Sequence, residues 1–208
     1  MNISVILAHP DPASFNHAIA AAAATAARRN GHTVHLHDLC AEGFDPLLPA
    51  AEIPRDAALP ELVALHCREI AAADGIVIVH PNWWGQPPAI LKGWVDRVIR
   101  PDVAYRFDVD DSGEGVPVGL LQAKAALVFN TSNTPGQRER EVFGDPLETI
   151  WKNCVFALCG VPEFYRRMFG VVVTSSADER AAWLAEVGAA VGRYFPANRG
   201  QTPISPLL

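Results

Sequence analysis

The 208-residue chain contains no apolar run approaching the ~18 residues that a membrane span requires, so membrane insertion is not expected. Its four cysteines, Cys40, Cys67, Cys154 and Cys159, include no CxxC pair, which argues against a zinc ribbon or a disulfide framework. Reduced thiols in a cytoplasmic setting are the expectation. The phosphate-binding P-loop and the GxSxG elbow of hydrolases are both missing. Gly113, Gly115 and Gly119 approach a GxGxxG fingerprint but miss its spacing and follow no strand. Cationic residues are also short: 17 Lys and Arg stand against 23 Asp and Glu, a net charge of -6, which disfavours nucleic acid as a partner. Met1 to Ala8 has neither a basic leader nor a small-residue cleavage site, and export is not expected.

Half the residues are hydrophobic, enough for a substantial core. Apolar runs at Ile3–Ala8, Ile76–Val79 and Ala125–Phe129 read as strands covered on both faces. Thr33–Leu36 reads as a shorter strand, and Phe164–Val173 as a fifth, weakened by Arg166 and Arg167. Helical patterns fall between them at Ser14–Arg29 (stopped by Gly31), Glu61–Ala73, Ala89–Ile99 and Pro146–Cys159. Ala177–Phe195 closes the series, with Ser175 and Ser176 as cap options. The four prolines within residues 41–60 mark a wandering connection, residues 101–119 a loop or excursion, and the tail from Pro196 an extended segment. Strands alternating with helices imply parallel pairing through right-handed crossovers. The expectation is one α/β domain over residues 1–208, doubly wound and flavodoxin-like, with five parallel strands in the order 2-1-3-4-5 and helices on both faces.

Ligands of such sheets sit beyond the carboxyl ends of the strands, where strand order reverses. Three irregular segments fall there. His9 to Asn16 leads into a helix whose start, with Ser14 and Asn16 as cap residues, offers backbone N–H groups to an anion. His80 to Pro88 holds adjacent Trp83 and Trp84 between prolines; both indoles cannot face the core, so a stiff aromatic wall for a flat ligand is expected. Asn130 to Gly136 supplies polar groups. An anion site, an aromatic wall and hydrogen-bonding groups at one sheet edge describe a site for a planar phosphorylated cofactor, and flavin fits best.

Other clusters carry less. His32, His35 and His37 have no carboxylate or cysteine at evident ligand spacing, so surface histidines on an edge strand, and no metal, are expected. Asp108, Asp110, Ser112 and Gly113 look like half a calcium loop, but its twelfth position is Gly119 rather than Glu; a solvated acidic loop is expected. Arg138, Glu139, Arg140 and Glu141 read as a solvated helical turn.

The chain resembles the NAD(P)H:quinone oxidoreductase (DT-diaphorase-like) family of flavodoxin-fold flavoproteins. The resemblance rests on His9 with Ser14-Phe15-Asn16, on Pro81 to Trp84, on Pro88-Ala89-Ile90-Leu91-Lys92-Gly93-Trp94, on Asp96-Arg97-Val98 and on Ala104-Tyr105. It implies that His9, Ser14, Phe15 and Asn16 hold the phosphate end of the flavin. Pro81, Asn82, Trp83 and Trp84 would meet the ring, and Asn130, Thr131, Ser132 and Asn133 would close the other side. It further implies a homodimer with sites at the interface, where Trp84 and a second subunit's Tyr105 and Phe107 form the acceptor pocket. FMN and FAD are both open as cofactor, with NAD(P)H as hydride donor through flavin N5 and quinones, or nitro and azo compounds, as acceptors. A flavin-binding regulatory subunit of a membrane transporter is a further alternative. Members carry a tyrosine and a histidine in a relay beyond the fourth strand; here Gln137 to Asp145 contains neither, and Phe143 stands at the histidine position. No side chain is assigned as a catalytic acid or base.

Overall fold

A computed structural model describes residues 1–109 and 115–197. Five parallel strands form the central sheet: β1 (Asn2–Leu7), β2 (Thr33–Asp38), β3 (Gly75–Pro81), β6 (Ala125–Thr131) and β7 (Glu163–Phe169). Their order is β2-β1-β3-β6-β7, the expected 2-1-3-4-5 order of a flavodoxin-like α/β fold. Between them run α1 (Phe15–Arg29), α2 (Glu61–Ala71), α3 (Ala89–Val98), α4 (Gly136–Glu141) and α5 (Pro146–Glu148), and α6 (Ala177–Tyr194) follows the last strand. The continuous apolar strands serve two cores by alternation. Ile3, Val5, Leu7, Val77, Val79, Leu127 and Phe129 pack against α1 and α6. Ile6, Ile76, Ile78, Ala126 and Val128 face the other way, toward Leu91, Trp94 and Trp151.

Within residues 101–119, β4 (Tyr105–Val109) and β5 (Gly115–Gly119) pair as an antiparallel two-stranded sheet, where a loop or excursion was expected. The half-calcium-loop positions Asp110, Ser112 and Gly113, like the tail beyond 197, lie outside the described residues. The expected helix over Pro146–Cys159 is α5 continued as a π-helix over Thr149–Ala157. The wider turn places Trp151 fully buried, with its indole N–H donating to His80 Nε2 at 3.0 Å. The fifth strand stops at Phe169 rather than Val173. There Ser132 O and Asn133 Oδ1 take the N–H groups of Val172 and Val173, which draws the chain into a short 3-10 turn. Arg166 and Arg167, which weakened that strand in the sequence, are accommodated by ion pairs with Asp145 and with Glu186.

The edge-strand histidines are corrected. His32 and His37 are buried, and only His35 is partly open. The carboxylate partners of His37 are Glu42, just past the end of β2, and Glu69 on α2, which spacing along the strand did not reveal. His37 bonds Glu42 through Nδ1 and Glu69 through Nε2, while Glu42 also meets His66 Nε2 at 3.1 Å. The nitrogens of His37 and His66 and a Glu42 oxygen lie within 4.8 Å of one another. However, Trp94 donates its indole N–H to His66 Nδ1 at 2.9 Å, so the proton of neutral His66 sits on Nε2, the atom a metal would need. The cluster is a partly buried hydrogen-bond network, with Glu42 at the surface, that ties β2 to α2 and α3. Among the described residues no helix is long and apolar enough to cross a membrane.

Candidate functional site

At the carboxyl ends of β1, β3 and β6 the three loops enclose an open cleft of about 850 Å³. His9, Asp11, Ser14, Phe15 and Asn16 line one end, Pro81 to Gly85 one wall, and Thr131 to Thr134 the opposite side. Glu139, Phe143, Pro146, Val172 and Val173 complete it.

The first loop is shaped by its caps. Asp11 Oδ1 accepts the Ala13 N–H at 2.9 Å, and Ser14 is the N-cap of α1, accepting from the His17 N–H. The start of a fifteen-residue helix thus faces the cleft with its positive dipole end and no acidic residue in its first turn. Phe15 turns partly inward against Phe169 and Trp183. Asn16 is buried and donates to Thr131 Oγ1 at 3.0 Å, which ties the first loop to the third.

The aromatic wall is a tight turn. Trp83 and Gln86 exchange backbone hydrogen bonds of 3.1 and 3.0 Å, and between them Trp84 and Gly85 both have positive φ, 58° and 69°. That pairing is the hallmark of a primed hairpin turn, and a tryptophan held there is strained. Trp84 is 100% exposed and Trp83 about half, its ring centroid 6.0 Å from that of His9. A side chain on Gly85 would come within 2.8 Å of Pro146, so the turn leans on the segment following α4.

Beneath the wall, His80 is fully buried and donates from Nδ1 to the Pro81 carbonyl at 2.8 Å while Nε2 accepts from Trp151. Burial lowers its pKa to about 4, so it is neutral at neutral pH. Asn82 donates its backbone N–H to Thr131 O at 2.6 Å and its side-chain Nδ2 to Glu139 Oε1 at 2.9 Å. Its Oδ1 is buried without a partner among the described residues.

Two sequence expectations are revised. Asn130 does not line the cleft: it is fully buried, with Oδ1 accepting from Arg166 Nε at 2.9 Å, because alternation on β6 turns it away from Thr131's side. Glu139 is not part of a solvated turn but 4% exposed inside the cleft. Tyr105 and Phe107, expected from a second subunit, do not line this chain's own cleft; their rings lie 5.7 Å apart on β4. Val172 and Val173 were not anticipated as lining residues, and Phe143 was noted only as standing at the relay histidine's position; contact across the fold brings all three into the cleft. Among the described lining residues there is no Lys or Arg, and the formal charges are Asp11 and Glu139.

A slot with aromatic and polar walls and a helix start at one end suits a flat ring with heteroatoms along its edge and an anionic tail. The orphaned Asn82 Oδ1 and the polar Thr131–Thr134 strip fit a ring that carries hydrogen-bonding groups.

Comparison with known proteins agrees. The family model described as "Flavodoxin-like fold" matches residues 1–191. An "Uncharacterized NAD(P)H oxidoreductase" of Haemophilus influenzae is 33% identical over 82% of this chain and 84% of its own. The ribosyldihydronicotinamide dehydrogenase (quinone) of Pongo abelii is 28% identical, covering 87% of this chain and 88% of its own. Among solved structures, an NAD(P)H:quinone oxidoreductase from Methanothermobacter marburgensis superposes with a TM-score of 0.78. It covers 92% of this chain and 95% of its own at 24% identity, a likeness of fold.

Proposed function

The chain belongs to the flavodoxin-like fold family of NAD(P)H:quinone oxidoreductases, and from that premise we propose that it is a flavin-dependent NAD(P)H oxidoreductase reducing quinones or similar flat acceptors. The observation that carries the reading is the open slot between the Trp83–Trp84 turn and the start of α1, with both indoles at the surface of the cleft rather than in the core. When bound, the flavin supplies the redox chemistry, taking a hydride from the nicotinamide and passing two electrons to the acceptor.

The protein's part is to bind, orient and cover. N–H groups at the α1 start, with Ser14 and His9, hold the phosphate end without a lysine or arginine, as a helix terminus does. The Pro81–Trp84 turn forms one wall for the ring, and Thr131, Ser132 and Asn133 the other. His80 and Trp151 fix the base of that wall through the Pro81 carbonyl. Trp84, Phe143 and Val173 give the acceptor an apolar surface on which stacking tolerates varied flat molecules. We assign the protein to the cytoplasm, as a single-domain homodimer in which Tyr105 and Phe107 of one copy cover the cleft of the other. The exposed ring of Phe107, on the same face of the β4–β5 ribbon as Tyr105, supports that arrangement.

The test is the spectrum of the purified protein, followed by release and identification of its chromophore and by NAD(P)H oxidation with and without a quinone. A bound FMN or FAD and acceptor-dependent turnover are expected. A colourless protein that takes up neither flavin overturns the proposal.

A further inference from the structure

Glu139 is the group that the surrounding pattern of charge conceals. Its α4 neighbours Gln137, Arg138, Arg140 and Glu141 are exposed, whereas Glu139 is 4% exposed and lines the cleft. A carboxylate taken out of water is costly unless an ion pair or hydrogen bonds compensate it. No Lys, Arg or His among the described residues pairs with it. Compensation comes from Asn82 Nδ2 at 2.9 Å and the Ser132 hydroxyl at 3.5 Å, and both reach the same oxygen, Oε1. Oε2 has no donor among the described residues. Its backbone is tied to the segment after α4 by the Asp145 N–H, which donates to Glu139 O at 2.8 Å. A carboxylate held on one oxygen and open on the other, in a cleft without cationic side chains, is built to accept a hydrogen bond from a ligand.

Resting on the flavin reading above, we propose that Glu139 accepts the hydrogen bond of the flavin's imide N–H and so selects ring systems that carry a donor there. The oxidised isoalloxazine has a single ring N–H, the one between its two carbonyls, which makes it the natural partner for the open oxygen. Asn82 and Ser132 act as positioning residues, since each donates to Oε1 and orients the carboxylate. The same acceptor disfavours a flat ligand that presents only acceptors along that edge, because two facing acceptors would each give up water on binding and gain no partner.

Binding, read without turnover, tests this. Protein stripped of its flavin is titrated with FMN and with N3-methyl-FMN, following quenching of flavin fluorescence, for the native chain and for Glu139→Ala and Glu139→Gln. The native protein is expected to bind FMN at least about tenfold more tightly than the methylated analogue, the fold-change of one buried hydrogen bond to a charged group. In Glu139→Ala the ratio should fall toward one. Glu139→Gln, which keeps the shape and a neutral acceptor, should fall between them and guards against loss of the alanine variant through misfolding. Equal affinities in the native protein, or a methyl penalty that survives unchanged in both variants, overturn the assignment of Glu139 alone. Failure of the native protein to bind either flavin overturns the flavin reading itself.

Discussion

At the scale of single residues, the site separates side chains that support it from those that offer a surface. Trp84 is fully solvent-exposed at a strained positive φ, so it contributes nothing to the core. Trp84→Ala is expected to leave thermal stability within about 0.5 kcal/mol, the usual range for surface changes, while raising KM for a quinone about tenfold or more. Calorimetry and steady-state kinetics on one preparation check both halves. His80 behaves oppositely. Its folded pKa of about 4 lies below the ordinary histidine value of about 6.5, so between those limits the unfolded chain holds the extra proton. Its neutral form therefore stabilises the fold fully above about pH 6.5, and the contribution fades as pH falls toward 4. About 2 kcal/mol should be gone by pH 5, an order-of-magnitude figure from the linkage relation. His66, also lowered by burial, adds to the same slope. Urea unfolding at pH 7 and pH 5 should show a shallower dependence in His80→Gln than in the native chain; identical dependence would contradict it. The residues least legible in the sequence are those whose partners lie far along the chain. Glu139 reads as one more charge in an alternating run until Asn82, 57 positions earlier, is placed beside it. His37 likewise reads as an edge-strand histidine until α2 brings Glu69.

At the scale of elements, strands and long helices were legible because burial on both faces and alanine-rich periodicity are local signals. The exceptions have nonlocal causes. The strands β4 and β5 lack the apolar run that marks a core strand, because their ribbon is largely exposed. The π-helix over Thr149–Ala157 cannot be read from propensity, since it is the pairing of Trp151 with His80 that the wider turn satisfies. The Ser176 cap was legible and proves to be a full capping box with Glu179, whose carboxylate is held below its usual pKa by bonds to Ser176. Ser176→Ala should cost about 1 kcal/mol of stability, with no change in flavin content. Gly93 explains part of the Pro88–Trp94 motif in packing terms. A Cβ there would lie 2.2 Å from the Pro46 carbonyl oxygen and 2.4 Å from its Cα. Replacing a mid-helix glycine by alanine gains up to about 1 kcal/mol of propensity, but overpacking against backbone costs about 1–3 kcal/mol, so Gly93→Ala is expected to destabilise. A raised denaturation midpoint in that variant would show that the Pro46 loop yields.

At the scale of the whole molecule, the cleft is open on the side where Trp84 projects, and none of the described residues covers it, while Tyr105 and Phe107 stand on a ribbon away from it. A two-fold dimer would let each ribbon cap the other copy's cleft, an isologous arrangement in which each site draws on both chains. That geometry makes a specific demand on mixed assemblies. In such a dimer Trp84→Ala would remove the wall from a chain's own cleft and Phe107→Ser the cover lent to its partner, so either variant alone should turn over poorly. In a hybrid of the two, one site carries both lesions and the other carries neither. After subunit exchange at equal concentrations, half the dimers are hybrids, so about a quarter of all sites are intact and turnover should recover to about that fraction. If cover and wall belonged to a single chain, each copy would retain its own lesion and mixing would restore nothing. Recovery on mixing, measured against the two unmixed variants at equal flavin content, therefore distinguishes a shared active site from two self-contained ones, independently of which acceptor is used.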